Sequence, residues 1–236
     1  MLRVRPVVKT GHAAAWAELL LALGLAELPH EPSGERCFAA GSGRVLLRTA
    51  TSFAIELGFE VRDLERFAQW TRSDGTGVLV RDAAHGPVGH LAAPDGLAFT
   101  ATPVDARLTA GSGPAAPGSF GVLAVWHTPD VPGSAQTLRN IGAIQSPGGS
   151  GGAGAHFRAK HGGFVDLRAA DAAGVGLELG IGGEAGELAS RLAAGGHQAR
   201  FAAGPHGRML LVRHPDGGDL TIAERRHHAD GRAPRE

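Results

Sequence analysis

IELGFEV, residues 55–61, and LELGIGG, residues 177–183, are nearly one phrase written twice. Each sets a single glutamate, Glu56 or Glu178, inside an alternating apolar run, the period-two signature of a half-buried strand. Each also leads into a helical pattern. Asp63 is the N-cap residue before LERFAQWTRSDG, and GGEAGELASRLAAGG follows the second phrase with Leu188 and Leu192 one turn apart. The same strand-to-helix opening occurs twice more. RVRPVVKT precedes GHAAAWAELLLALGL, where Trp16, Leu19, Leu20 and Leu23 keep helical spacing and Gly24 supplies the stop. FGVLAVWHT precedes VPGSAQTLRNIGA, with Asp130 as cap. After every helix come short strand patterns broken by Gly, Pro, Asp and Asn turn residues. The chain therefore reads as four strand–helix–strands units, each about 50 residues long.

Four units make two pairs. Glu56 lies over Glu178, and Thr100 over Thr221, at almost the same offset, as a duplicated pair requires. The expected organisation is a first half at 1–103, a linker at 104–119 rich in Gly, Pro and small residues, a second half at 120–225 and a polar tail at 226–236. The fold class is α+β, with four βαβββ units paired into two tandem domains of curved, half-closed sheet. With 23 basic and 23 acidic residues the formal charge is zero, so nothing marks a nucleic-acid partner, which needs a basic face. No apolar run approaches the roughly 20 residues of a membrane span. The single cysteine, Cys37, forms no internal disulfide and points to a reducing compartment, the cytoplasm. The expected partner is a small molecule, and the chain is a monomer or homodimer.

The turn-and-strand pieces APDGLAFT (93–100) and HPDGGDLTIAE (214–224), VRDLERFAQW (61–70) and VWHTPDVPGSAQTLRNIGA (125–143) carry a resemblance. In order and spacing the chain resembles tandem members of the vicinal oxygen chelate superfamily, which includes glyoxalase I, extradiol dioxygenases and bleomycin-resistance proteins. That resemblance implies paired units curled around a cavity. In the metal enzymes of that group, first and last strands aim His, Gln and Glu at one divalent ion, which binds adjacent substrate oxygens.

The ligand positions that the resemblance implies fall on Glu56 and Glu178, on Leu123 and Arg5, and on Thr100 and Thr221. Leu123 has no donor atom, Arg5 repels a cation, and neutral hydroxyls are poor ligands. The expectation is therefore no metal ligand set and no cofactor, with a divalent metal as the alternative. Glu56 and Glu178 are the candidate catalytic acids. Arg5, Arg48, Thr100, Trp126, His127, Asp166, Arg168 and Thr221 are the candidate ligand-binding residues. For each glutamate two readings stand together: a solvated or ion-paired strand residue, with Arg5 or Arg48 as partner of Glu56, or an acid facing a ligand in a cavity. Trp16 and Trp70 are expected in the core, and most of the 12 histidines on surface loops. The function expected is a metal-free, drug-sequestering or specialised-metabolism binder. The alternatives are a divalent-metal lyase, isomerase or dioxygenase, and an enzyme using a cavity Glu as general base.

Overall fold

The structure, a computed structural model, describes residues 1–29, 34–83, 86–104, 120–146, 154–204 and 207–224. Apart from Val104, the expected linker lies outside the described residues, and so does the expected tail. Unit one comprises β1 (Leu2–Val4), β2 (Val7–Thr10), α1 (Ala13–Leu23), β3 (Ala26–Glu27), β4 (Arg36–Ala39) and β5 (Arg44–Thr49). Unit two comprises β6 (Ala54–Glu56), β7 (Gly58–Val61), α2 (Leu64–Ser73), β8 (Val78–Ala83), β9 (Gly86–Ala92) and β10 (Ala98–Pro103). Unit three comprises β11 (Phe120–Thr128), α3 (Val131–Asn140), β12 (Ile144–Gln145), β13 (Gly154–Arg158) and β14 (Phe164–Ala169). Unit four comprises β15 (Gly174–Ile181), α4 (Ala185–Ala194), β16 (Ala199–Gly204), β17 (Gly207–Arg213) and β18 (Asp219–Glu224).

The second half is an eight-stranded open sheet in the order β12-β13-β14-β11-β15-β18-β17-β16. The first half has the same order in two pieces, β3-β4-β5-β2-β6 and β1-β7-β10-β9-β8. The interruption falls at Pro6, which has no N–H to give the ladder. Register is nevertheless kept across the break, since Val4 pairs with Phe59 and Val7 with Glu56. Local chemistry sets the helix ends. Asp63 accepts from the Arg66 N–H at 3.0 Å and Asp130 from the Gly133 N–H at 2.9 Å, while Gly24 ends α1 at φ 97°.

The apolar cores run between the halves. One joins unit two to unit three, packing Phe59, Leu64 and Phe99 with Trp126, Leu138 and Phe157. The other joins unit one to unit four, packing Trp16, Leu20 and Phe38 with Leu179, Leu188 and Ile222. The PDG turns bind across the same joints. Asp95 accepts from Trp126 Nε1 at 2.8 Å, and Asp216 accepts from Trp16 Nε1 at 2.6 Å and from Thr10 Oγ1 at 2.8 Å. Two turns meet between the halves as well: a Cβ at Gly43 (φ 88°) would lie 2.8 Å from Val122 Cβ and 3.0 Å from Gly163 Cα. Trp70, expected in the core, is 56% exposed, with the Arg66 guanidinium 4.5 Å above its ring.

Candidate functional site

Ala124 and Trp126 of β11 face the helices and join their core. By alternation Leu123, Val125 and His127 face the opposite side of the sheet. Across the strands Leu123 pairs with Glu178, and Glu178 pairs with Thr221, so the three stand in one row on that open face. The corresponding row of the first half is Arg5, Gly58 and Thr100: Arg5 donates its N–H to the Gly58 carbonyl at 2.8 Å, and Thr100 pairs with Gly58. The structural counterpart of Glu178 is thus Gly58, which corrects the equivalence with Glu56 read from the sequence. Glu56 lies two residues earlier on the same face.

The two glutamates have different surroundings. Glu56 is 40% exposed, forms an ion pair with Lys9 and lies 3.9 Å from Arg48, whose main partner is Glu35. Arg5 does not reach Glu56. It is buried against Glu60 at 3.4 Å and donates to Thr102 Oγ1 at 2.6 Å. Glu60, 1% exposed, also accepts from Arg3 and Arg44 at 2.9 Å each, so the interior of the first-half row is filled by paired charges.

Glu178 is held by both forks of Arg168, Nη1 to Oε1 at 2.7 Å and Nη2 to Oε2 at 2.9 Å. This bidentate geometry fixes the carboxylate plane. Arg168 reaches Asp166 at 3.5 Å, and Asp166 in turn pairs with His156 Nδ1. The hydrogen bonds to Glu178, opposed by burial, raise the Arg168 pKa above its ordinary range. His156 sits directly opposite Asp166 in the β13–β14 ladder, not on a loop as the sequence suggested.

A cavity of about 310 Å³ lies over Gly176, one pair along from this row. Glu178, Thr221, Asp219, Val125 and His127 line its second-half side. Trp16, Phe53 and Ile55 close it from the first half, and His214 stands between the two. Of the predicted residues the structure therefore brings Glu178, His127 and Thr221 to one cavity, with Arg168 and Asp166 behind Glu178. Trp126 stands apart: it is 0% exposed, on the helix side, with Nε1 bound to Asp95. Arg5, Arg48, Thr100 and Glu56 belong to the first half. Sequence reasoning missed His214, Phe53 and Asp219, and the only local signal was a histidine immediately before a PDG turn.

No family model matches the chain, and no curated protein sequence matches it. Solved structures do. A catechol 2,3-dioxygenase superposes with a TM-score of 0.66 at 14% identity, over 95% of this chain and 89% of its own. The 2,3-dioxygenase LapB from Pseudomonas sp. KL28 gives 0.64 at 14% identity, over 98% and 94%. The Mn(II)-bound glyoxalase from Novosphingobium aromaticivorans gives 0.63 at 15% identity, over 94% and 80%. This is the vicinal oxygen chelate fold. The likeness at these identities establishes architecture, and chemistry is a matter for the site itself.

The expectation of a cofactor-free protein is corrected by these neighbours, since the fold they share holds Mn(II) in the glyoxalase and serves ring-cleaving dioxygenases. In the second-half row, Leu123 offers no donor atom, Thr221 a neutral hydroxyl, and each oxygen of Glu178 accepts one hydrogen bond from Arg168, whose positive charge repels a cation there. Among the described residues no three His, Cys, Asp or Glu side chains converge. The row as arranged does not fit a divalent ion. Among the described residues no helix is long and apolar enough to cross a membrane.

Proposed function

We propose that the protein is an enzyme of the vicinal oxygen chelate type, related to the glyoxalases and ring-cleaving dioxygenases, and that the cavity over Gly176 takes its small organic substrate. One observation carries the reading: Glu178 and Thr221 stand side by side on the open face and both line a cavity walled by aromatic rings of the other half. The volume is at the small end of ligand sites, about 300–1,000 Å³. The neighbours' names support an enzyme over a drug-sequestering binder. In this reading Glu178 accepts a proton from a substrate O–H or C–H, and Arg168 fixes its plane so that little orientation is left to chance. Thr221 and His127 hold substrate oxygens. The first-half row, filled by Arg3, Arg5, Arg44 and Glu60, supports the fold.

The test is a thermal-shift screen of hydroxylated and carbonyl metabolites, followed by turnover assays on the hits. Glu178→Gln should abolish turnover while keeping affinity within a few-fold, as loss of a proton acceptor does. Full turnover by that variant refutes the assignment. Elemental analysis in parallel decides the ion. One equivalent of Mn, Fe, Ni or Zn lost on Glu178→Ala ties it to this row, and one equivalent retained places it elsewhere.

A further inference from the structure

His214 is 8% exposed and belongs to a cluster of three rings. Its centroid is 5.0 Å from Trp16 and 4.9 Å from Phe53, each tilted 27° to it, and those two rings lie 6.2 Å apart, so a second-half imidazole packs against a pair of first-half aromatics. Its Nδ1 accepts the Asp216 backbone N–H at 3.3 Å. A ring that accepts at Nδ1 carries its proton at Nε2 when neutral. Nε2 lies where a side chain at 218 would be, since a Cβ on Gly218 would come within 2.4 Å of it. Glycine there leaves the Nε2–H open to the cavity, which both residues line. Among the described residues nothing accepts from it.

We infer that His214 is the substrate-orienting donor of this cavity, presenting Nε2–H to a carbonyl or carboxylate oxygen of the bound molecule. The inference rests on the cavity's being the substrate site. No buried side-chain nitrogen among the described residues lacks a partner, so Nε2, which has no protein acceptor, is reached by the solvent of the cavity and can exchange water for a ligand oxygen. On balance the surroundings hold the ring as a neutral donor. Trp16 and Phe53 pack against it, and Thr10 and Trp16 both donate to the neighbouring Asp216. Burial lowers the His214 pKa, with Arg213 acting in the same direction and Asp216 and Asp219 against it. Asp219 is itself paired with Arg200, and Glu178 with Arg168. The cavity thus offers N–H donors at His214 and His127 and carboxylate acceptors at Glu178 and Asp219. That pattern suits a compound carrying both a carbonyl or carboxylate oxygen and a hydroxyl. His214 is a positioning and specificity residue, and the first half contributes by holding it.

Two measurements test this on the full chain. In ¹⁵N-labelled protein without ligand, long-range ¹H–¹⁵N spectra should show the Nε2–H tautomer of His214 between pH 6 and 8, roughly the range where an ordinary histidine charges. An Nδ1–H tautomer or a ring charged at pH 6 overturns the proposal. The second uses mandelate as probe, with 1-phenylethanol as the partner that keeps the hydroxyl and lacks the carboxylate. His214→Phe keeps an aromatic ring beside Trp16 and Phe53 and removes the donor, and should weaken mandelate about five- to tenfold while leaving 1-phenylethanol unchanged. Equal affinity of mandelate for both proteins, or no binding to either, overturns it. Mandelate binding blocked by Gly176→Leu, which fills the cavity, but unchanged by His214→Phe refutes the His214 role and leaves the cavity assignment standing. Mandelate sensitive to neither refutes both.

Discussion

Replacing Asp95 by alanine removes an acceptor that fastens one half to the other. The carboxylate takes the Trp126 Nε1–H at 2.8 Å, the Leu97 N–H at 3.0 Å and the Ser134 hydroxyl at 3.3 Å. Hydrogen bonds to a charged acceptor contribute about 1.5–3 kcal/mol each, and a buried indole N–H left without an acceptor costs about 1–3 kcal/mol. Water reaches the partly exposed side of Asp95 and the bonds are not additive, so the expected loss is about 3–5 kcal/mol. For a chain of this size that is roughly a 10 °C fall in Tm. Urea unfolding followed by tryptophan fluorescence measures it. A loss under about 1 kcal/mol would refute the latch. The pH dependence gives a second check. Burial raises the Asp95 pKa, but hydrogen bonds from Thr128, Leu97, Trp126 and Ser134 outweigh it and hold the value below the usual carboxylate range. A depressed pKa means stability present above the unfolded value of about 3.9 and lost as pH falls through the folded one. The gap between wild type and Asp95→Asn should therefore be flat from pH 5 to 8 and shrink below about pH 4.

Glu60→Gln should destabilise by about 3–5 kcal/mol in urea titrations, because one neutral amide replaces the carboxylate that Arg3, Arg5 and Arg44 share in a buried site. A milder loss would mean that water reaches the cluster. Gly43→Ala should lower Tm by more than about 5 °C, since the new methyl would press on Val122 and Gly163 at a left-handed backbone position. Trp70→Ser should change stability by less than about 0.5 kcal/mol, and a larger fall would show that the ring covers core after all.

Local signals were legible where local chemistry decides. Asp63 and Asp130 were read as helix caps and act as such, and Gly24 as a stop. Trp70 was misread because the apolar stripe of α2 is Leu64, Ala68 and Thr71, and Trp70 falls just off it. Glu56 and Glu178 share a phrase, yet the ladders set them two residues apart. A glutamate within an alternating run gives no hint of register, which is decided by the strand opposite. His156 was legible in principle, since a hairpin about the HGG turn at 161–163 places it opposite Asp166. His214 was not. Its role depends on Trp16 and Phe53, which are remote in sequence and come close only when unit one packs on unit four.

That packing has a consequence for how such a chain can be cut or rebuilt. The halves exchange core partners, unit one with unit four and unit two with unit three. Severed between residues 104 and 119, each piece would expose an oily helical surface shaped to receive its sibling. The fragments should reassemble when mixed and clump when kept apart. A gene half this long could meet the same need only by making two copies that embrace.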